Sequence, residues 1–197
     1  MGMAKYITQT FQNEWKGKET DYDYKSLMQK RTIEYRKEPL AVVKLARPTN
    51  LASARKNGYK AKKGIIVARV RVRKGHGTYA RPKNKRRPKR QGQATLTRRK
   101  STRAMAEERA SKKFENMEVI GSYKIAEDGR KHYFEIILAD RDSSVIKKDK
   151  ELKYLSKGQK GRAERGKTFA GKVNKETNKK VIRKKKKKKA AQNNHSK

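Results

Sequence analysis

Residues 161–168, Gly161-Arg162-Ala163-Glu164-Arg165-Gly166-Lys167-Thr168, satisfy the phosphate-loop pattern G-x-x-x-x-G-K-[ST] letter for letter. In a nucleotide hydrolase this spacing wraps backbone N–H groups around phosphates, while the lysine reaches the terminal ones and the hydroxyl holds magnesium. That chemistry also needs a buried strand before the loop and a helix after it. Leu155-Ser156-Lys157-Gly158-Gln159-Lys160 is no buried strand, and glycine returns at Gly171. The run Ile136-Ile137-Leu138-Ala139-Asp140 ends in an acid, as a magnesium-binding strand would, but it precedes the loop. In a chain this rich in lysine and glycine, a chance match is the simpler reading. The expectation is no enzyme and no cofactor.

Other reactive types are scattered. His76, His132 and His195 stand far apart and there is no cysteine, so no metal site is expected. Asp140 and Asp142 form a carboxylate pair at a strand exit, where turn chemistry explains them better than acid–base catalysis.

The cations carry the coherent signal. Between Glu38 and Glu107 there is no Asp or Glu, yet there are 22 Lys or Arg. The net charge is +39 and the pI about 10.6. Such a chain binds phosphate backbones by releasing condensed counterions, with affinity falling steeply as salt rises. The cations are spread over loops, a strand face and a tail, and no helix-turn-helix with base-reading Asn or Gln is present. That distribution suits irregular RNA better than a DNA groove. The alternative within the nucleic-acid class is a chromatin-type, DNA-compacting protein.

Candidate RNA contacts follow the basic blocks. The first group is Arg47, Arg55, Lys56, Tyr59, Lys60, Lys62 and Lys63. Strand periodicity over Ile65–Arg73 puts Ile66, Ala68, Val70 and Val72 on one face and Arg69, Arg71 and Arg73 on the other, a guanidinium ladder facing phosphate. Cross-strand carboxylates such as Glu135 are the competing partners. Lys74, His76, Tyr79, Arg81, Lys83, Lys85, Arg86, Arg87, Lys89, Arg90, Arg98, Arg99 and Lys100 belong to a loop with almost no apolar side chains, expected to order on RNA. Arg162, Arg165, Lys167 and Lys172 extend the set. Gly58, Gly64, Gly75 and Gly77 are read as permitting close backbone approach to RNA, and Tyr59 and Tyr79 as stacking platforms.

The elements that position these residues make an α+β fold: a small, mostly antiparallel sheet with packed helices, a long basic loop and an extended C-terminal tail. Met3, Ile7, Phe11 and Trp15 recur every four residues and predict a helix over 3–16; a second is predicted over 22–36. The aromatics of these helices are read as packing residues. A short strand is expected over Leu40–Leu45, ended by Pro48. A helix over 102–115 is capped by Ser101 or Thr102, with Glu108 and Lys112 paired at i,i+4. Val119–Ile125 and Lys131–Ala139 flank Glu127-Asp128-Gly129 as a hairpin. The chain divides into a helical segment 1–38, a core 39–155 containing the basic loop 74–100, and a Gly/Lys-rich tail 156–197 ending in the hexalysine 184–189. Only 32% of residues are hydrophobic, enough for a small core. No apolar run has membrane-span length, and the N-terminus has no signal-peptide core, so a soluble protein of a reducing compartment is expected.

Several blocks, in order and spacing, resemble a known family. They are Arg47-Pro48-Thr49, Ala54-Arg55, the Gly58–Gly64 loop, Arg69–Arg73, Arg86-Arg87-Pro88-Lys89-Arg90, Arg98-Arg99-Lys100-Ser101 and Ala106–Ala110. Ser122-Tyr123, Phe134–Leu138, and Arg165-Gly166 with Ala170-Gly171 complete the series, which spans roughly residues 4–171. The sequence is similar to the L-fifteen-e family of large-subunit ribosomal proteins, and closer to archaeal than to animal members. It departs from the family pattern at Lys124 and at Arg141-Asp142-Ser143-Ser144. The resemblance implies a structural protein of the large ribosomal subunit in the cytoplasm, one copy per ribosome and no homo-oligomer. Its implied partners are large-subunit ribosomal RNA and neighbouring ribosomal proteins, with no membrane and no small-molecule substrate.

Overall fold

A computed structural model describes residues 2–18, 22–75, 85–91, 100–177 and 183. Four antiparallel strands form one sheet: β1 (Val42–Leu45), β2 (Ile65–Arg73), β3 (Met117–Glu127) and β4 (Lys131–Asp140), in spatial order β1-β2-β4-β3. The α+β expectation holds. The β3–β4 hairpin turns where Asp-Gly predicts it; the Asp128 carboxylate accepts the N–H groups of Arg130 and Lys131 at 2.7 and 2.6 Å. β4 is central, and Tyr133–Ala139 are buried without alternation because both sheet faces are covered.

On one face lies α4 (Thr102–Lys113), capped by Ser101 through the Ala104 N–H. Its Ala106 and Ala110 pack on Ala68, Val70, Val72, Phe134, Ile136 and Leu138. The small residues of α4 let the helix sit close to a sheet rich in branched side chains. The other face is covered by α3 (Leu51–Lys56), α5 (Ser144–Lys148) and a 3-10 turn (Lys153–Ser156), through Ala54, Ile146, Leu152 and Leu155. Tyr35, near the end of α2 (Tyr24–Lys37), stacks on Tyr133 with ring centroids 5.6 Å apart.

Three expectations change. Helix α1 (Met3–Lys16) forms as the stripe predicts, but it buries none of its residues. Its aromatics therefore do not complete the core. Glu108 is engaged by Lys100 at 2.7 Å, through the chain just before the helix rather than by Lys112. Most importantly, residues 156–177 are not an extended tail. Ala163, Thr168, Ala170 and Gly171 are buried, and residues 169–177 form a helix, α6. Burial through isolated small residues leaves no apolar run for sequence periodicity to detect. Gly171 shows the closeness of the packing: a Cβ there would stand 2.5 Å from the Gly166 Cα.

Candidate nucleic-acid interface

Three buried carboxylates fasten distant segments onto the sheet and thereby set which cations face outward. Glu135 accepts the Thr49 backbone N–H (3.2 and 3.1 Å) and the Thr49 and Tyr123 hydroxyls, tethering the Pro48 turn to β4. Glu107 accepts the hydroxyls of Ser122 and of Thr168, the latter at 2.6 Å. Burial pushes its carboxyl above the usual range, against the pull of these two hydrogen bonds. Glu118 accepts the backbone N–H groups of Gly161 and Arg162 at 2.8 and 3.1 Å. The first two elements of the phosphate-loop pattern are thus filled by an internal carboxylate, and Thr168, its last, serves Glu107. The segment uses phosphate-loop chemistry, amide N–H groups on an anion, to hold itself on the domain.

The guanidinium ladder is largely claimed from inside. Arg69 is buried, ion-paired with Glu38, with its guanidinium 3.8 Å from the Tyr35 ring centroid. Arg71 donates to the carbonyls of Glu38 and Pro39. Only Arg73 of the three is exposed. The cause is the C-terminus of α2, which lays its carbonyls and one carboxylate over the strand, a favourable place for cations. Glu135, opposite Arg69 in register, is occupied by Thr49 and Tyr123. Lys74 lies 3.3 Å from Glu127. The Lys124 and Lys74 ammonium groups, in that order, hold the Glu127 carboxyl down to about 2.

The Gly58–Gly64 loop is also anchored. Lys62 reaches Asp149 at 2.6 Å and Lys60 reaches Glu151 at 2.7 Å. The Lys62 hydrogen bond is the main cause holding the Asp149 carboxyl down to about 2. Tyr59 is half-buried, packed against the cluster of Ala54, Tyr123 and Ile137. Gly58 and Gly64, both at positive φ, face protein: an added Cβ would meet Ile120 in one case and Ser143 with Ile146 in the other. Their smallness answers internal packing.

The exposed cations are different residues. Arg47, Arg55, Lys56 and Lys63 stand on the α3 side, exposed and with no carboxylate partner among the described residues. Lys85, Arg86, Arg87, Lys89 and Arg90 are all exposed around a 3-10 turn at Pro88–Arg90, steadied by the Gln91 amide donating to the Arg86 carbonyl at 2.8 Å. Lys100 is exposed but paired with Glu108. Arg165, Lys167 and Lys172 are exposed, whereas Arg162 is half-buried over Tyr154. His76, Tyr79, Arg81, Lys83, Arg98, Arg99, Gly77 and the hexalysine lie outside the described residues. Sequence reasoning passed over Phe169, 66% exposed with the Arg103 guanidinium 5.4 Å from its ring. An aromatic in a Gly/Lys-rich segment was the available signal.

The family model described as "Ribosomal L15" matches residues 2–195. The chain belongs to this family of ribosomal proteins. It is 48% identical over 171 residues to the large ribosomal subunit protein eL15 of Methanocella arvoryzae, with 86% of each chain covered. In this ribosomal protein, the sequence blocks that carry the family resemblance sort into two kinds. Gly58–Gly64, Phe134–Leu138, Ser122-Tyr123 and Arg165-Gly166 with Ala170-Gly171 hold the domain together. Arg47 and Arg86–Arg90 are displayed.

Proposed function

We propose that this protein is a structural constituent of the large ribosomal subunit that binds and stabilises large-subunit ribosomal RNA and acts in assembly, not catalysis. It sits as one copy beside neighbouring ribosomal proteins. The carrying observation is the division of its cations: those near carboxylates lock the fold, and an exposed set with no carboxylate partner among the described residues includes Arg47, Arg55, Lys56, Arg86, Arg87, Lys89 and Arg90. An exposed guanidinium or ammonium that no carboxylate neutralises is free to neutralise phosphate where RNA helices crowd, which lowers their mutual repulsion. Family membership supports the same reading.

The test is the salt dependence of binding to a folded large-subunit RNA fragment. With about ten phosphate contacts, log affinity falls with log salt at a slope of roughly −7 to −9. A slope near −2, or equal affinity for duplex DNA, would contradict the proposal, the latter in favour of a DNA-compacting protein.

A further inference from the structure

Helix α1 leans against α3 and leaves an open groove of about 660 Å³ between them. Ile7, Phe11 and Trp15 line one wall, and Tyr24 closes one end. Trp15 is 70% exposed although it is the chain's only tryptophan and lies on the most apolar stripe of the helix. The indole is nonetheless held: it meets Tyr24 edge to face, ring centroids 6.0 Å apart at 64°. A surface helix ordinarily presses such a stripe onto its own core. Here Ile7 and Phe11 are only half-buried and Trp15 is exposed, and apolar surface left uncovered in this way marks an interaction site.

The rim selects the occupant. Lys16, Arg55 and Lys56 line it, all exposed, and among the described residues no carboxylate does. The wall opposite the aromatics carries one small apolar residue, Ala52, among Asn50, Ser53, Arg55 and Lys56. A partner protein helix inserts apolar side chains at i, i+3, i+4 and i+7 and needs apolar surface on both sides. One aromatic wall facing one cationic wall fits a planar group that carries an anion.

We propose that the groove between α1 and α3 takes an unstacked RNA base against Trp15 and Phe11, with its phosphate on Arg55 and Lys56. This rests on the RNA-binding reading above and adds a defined contact to it. Stacking on an aromatic side chain is tolerant of base identity, because every base has a π-face, so the bay reads the presence of an extruded base rather than its sequence.

The experiment uses the emission of Trp15 in the full chain, titrated with a single-stranded RNA octamer and with an abasic octamer of equal charge. The expected result is quenching by the base-bearing strand, which also binds about 5- to 100-fold more tightly than the abasic one. Trp15→Ala, which lacks the reporter and is therefore read by the anisotropy of end-labelled strands, is expected to remove the affinity difference and leave the salt slope unchanged, since no phosphate contact is lost. The comparison of the two strands on the native chain stands even if the variant perturbs α1. Equal quenching and affinity for both strands would overturn the proposal, leaving only charge attraction. RNA binding without quenching would overturn it too while the RNA-binding reading survives. Absence of RNA binding would end both. Quenching by an acidic amphipathic peptide but not by RNA would assign the groove to a protein and overturn the proposal.

Discussion

The carboxylate of Glu118, on β3, accepts the backbone N–H groups of Gly161 and Arg162, 43 and 44 residues further along the chain. This contact places residues 158–171 on the folded domain. Glu118→Ala removes two charge-assisted hydrogen bonds worth about 1.5 kcal/mol each, so the expected loss is about 3 kcal/mol. For a chain of this size that lowers Tm by about 6–12 °C. Limited proteolysis should then cut first in 158–171. An unchanged Tm with unchanged protection would show that the segment is held by other means.

Gly171→Ala tests the same attachment from the other side. The new methyl would stand 2.5 Å from the Gly166 Cα, where backbone meets backbone and no side chain can swing away. Overpacking of this kind costs about 1–3 kcal/mol. Thermal melting reads it; a neutral result would mean that α6 can shift outward freely.

The segment marks where sequence reasoning stops. The sheet was legible because β2 alternates apolar and cationic residues from Ala68 to Arg73 and the Asp-Gly turn announces the hairpin. The Arg69–Arg73 ladder was legible as a face but not as to its partners. The acid that claims Arg69 is Glu38, on a different element, and periodicity says nothing about which helix end will fold over a strand. The stripe of α1 was visible, but its packing was not: periodicity shows that a helix has an apolar side, not that the domain has a place for it. Residues 156–177 were misjudged because Ala163, Thr168, Ala170 and Gly171 bury little area each and are separated by exposed cations.

Buried and displayed arginines should separate in one pair of measurements. Arg69→Ala strands the Glu38 carboxylate and removes the stack on Tyr35, so stability falls while the salt slope for RNA stays the same. Replacing Arg86 and Arg87 with alanine leaves Tm unchanged and makes the slope shallower by about one per residue. The opposite assignment, with Arg69 controlling the slope, would contradict the division of the cations.

Asp149 anchors the basic loop, and its carboxyl lies at about 2, below the ordinary 3.8. A depressed carboxyl stabilises the fold above its unfolded value, so the contribution is fully present above pH 3.8. It is lost as pH falls through about 2. Carbon-detected titration of the Asp149 carboxyl should show the low midpoint, and Lys62→Met should raise it. A midpoint at the ordinary value in the native chain would mean that Lys62 does not hold it.

Glu107 has the opposite sign. Its carboxyl is raised by burial above the ordinary 4.5, so the folded state holds the proton longer and this group's contribution weakens as pH rises from 4.5 through the folded value. Glu107→Gln should therefore keep or raise Tm at neutral pH. A clear loss of stability there would indicate that the charged form is required by Ser122 and Thr168.

The central claim is tested most directly by sedimenting a lysate on a sucrose gradient, in high salt with magnesium, and following this chain. The account predicts co-migration with the washed large ribosomal subunit at one copy per particle. Release to the top of the gradient, or migration with DNA that survives ribonuclease, would contradict it.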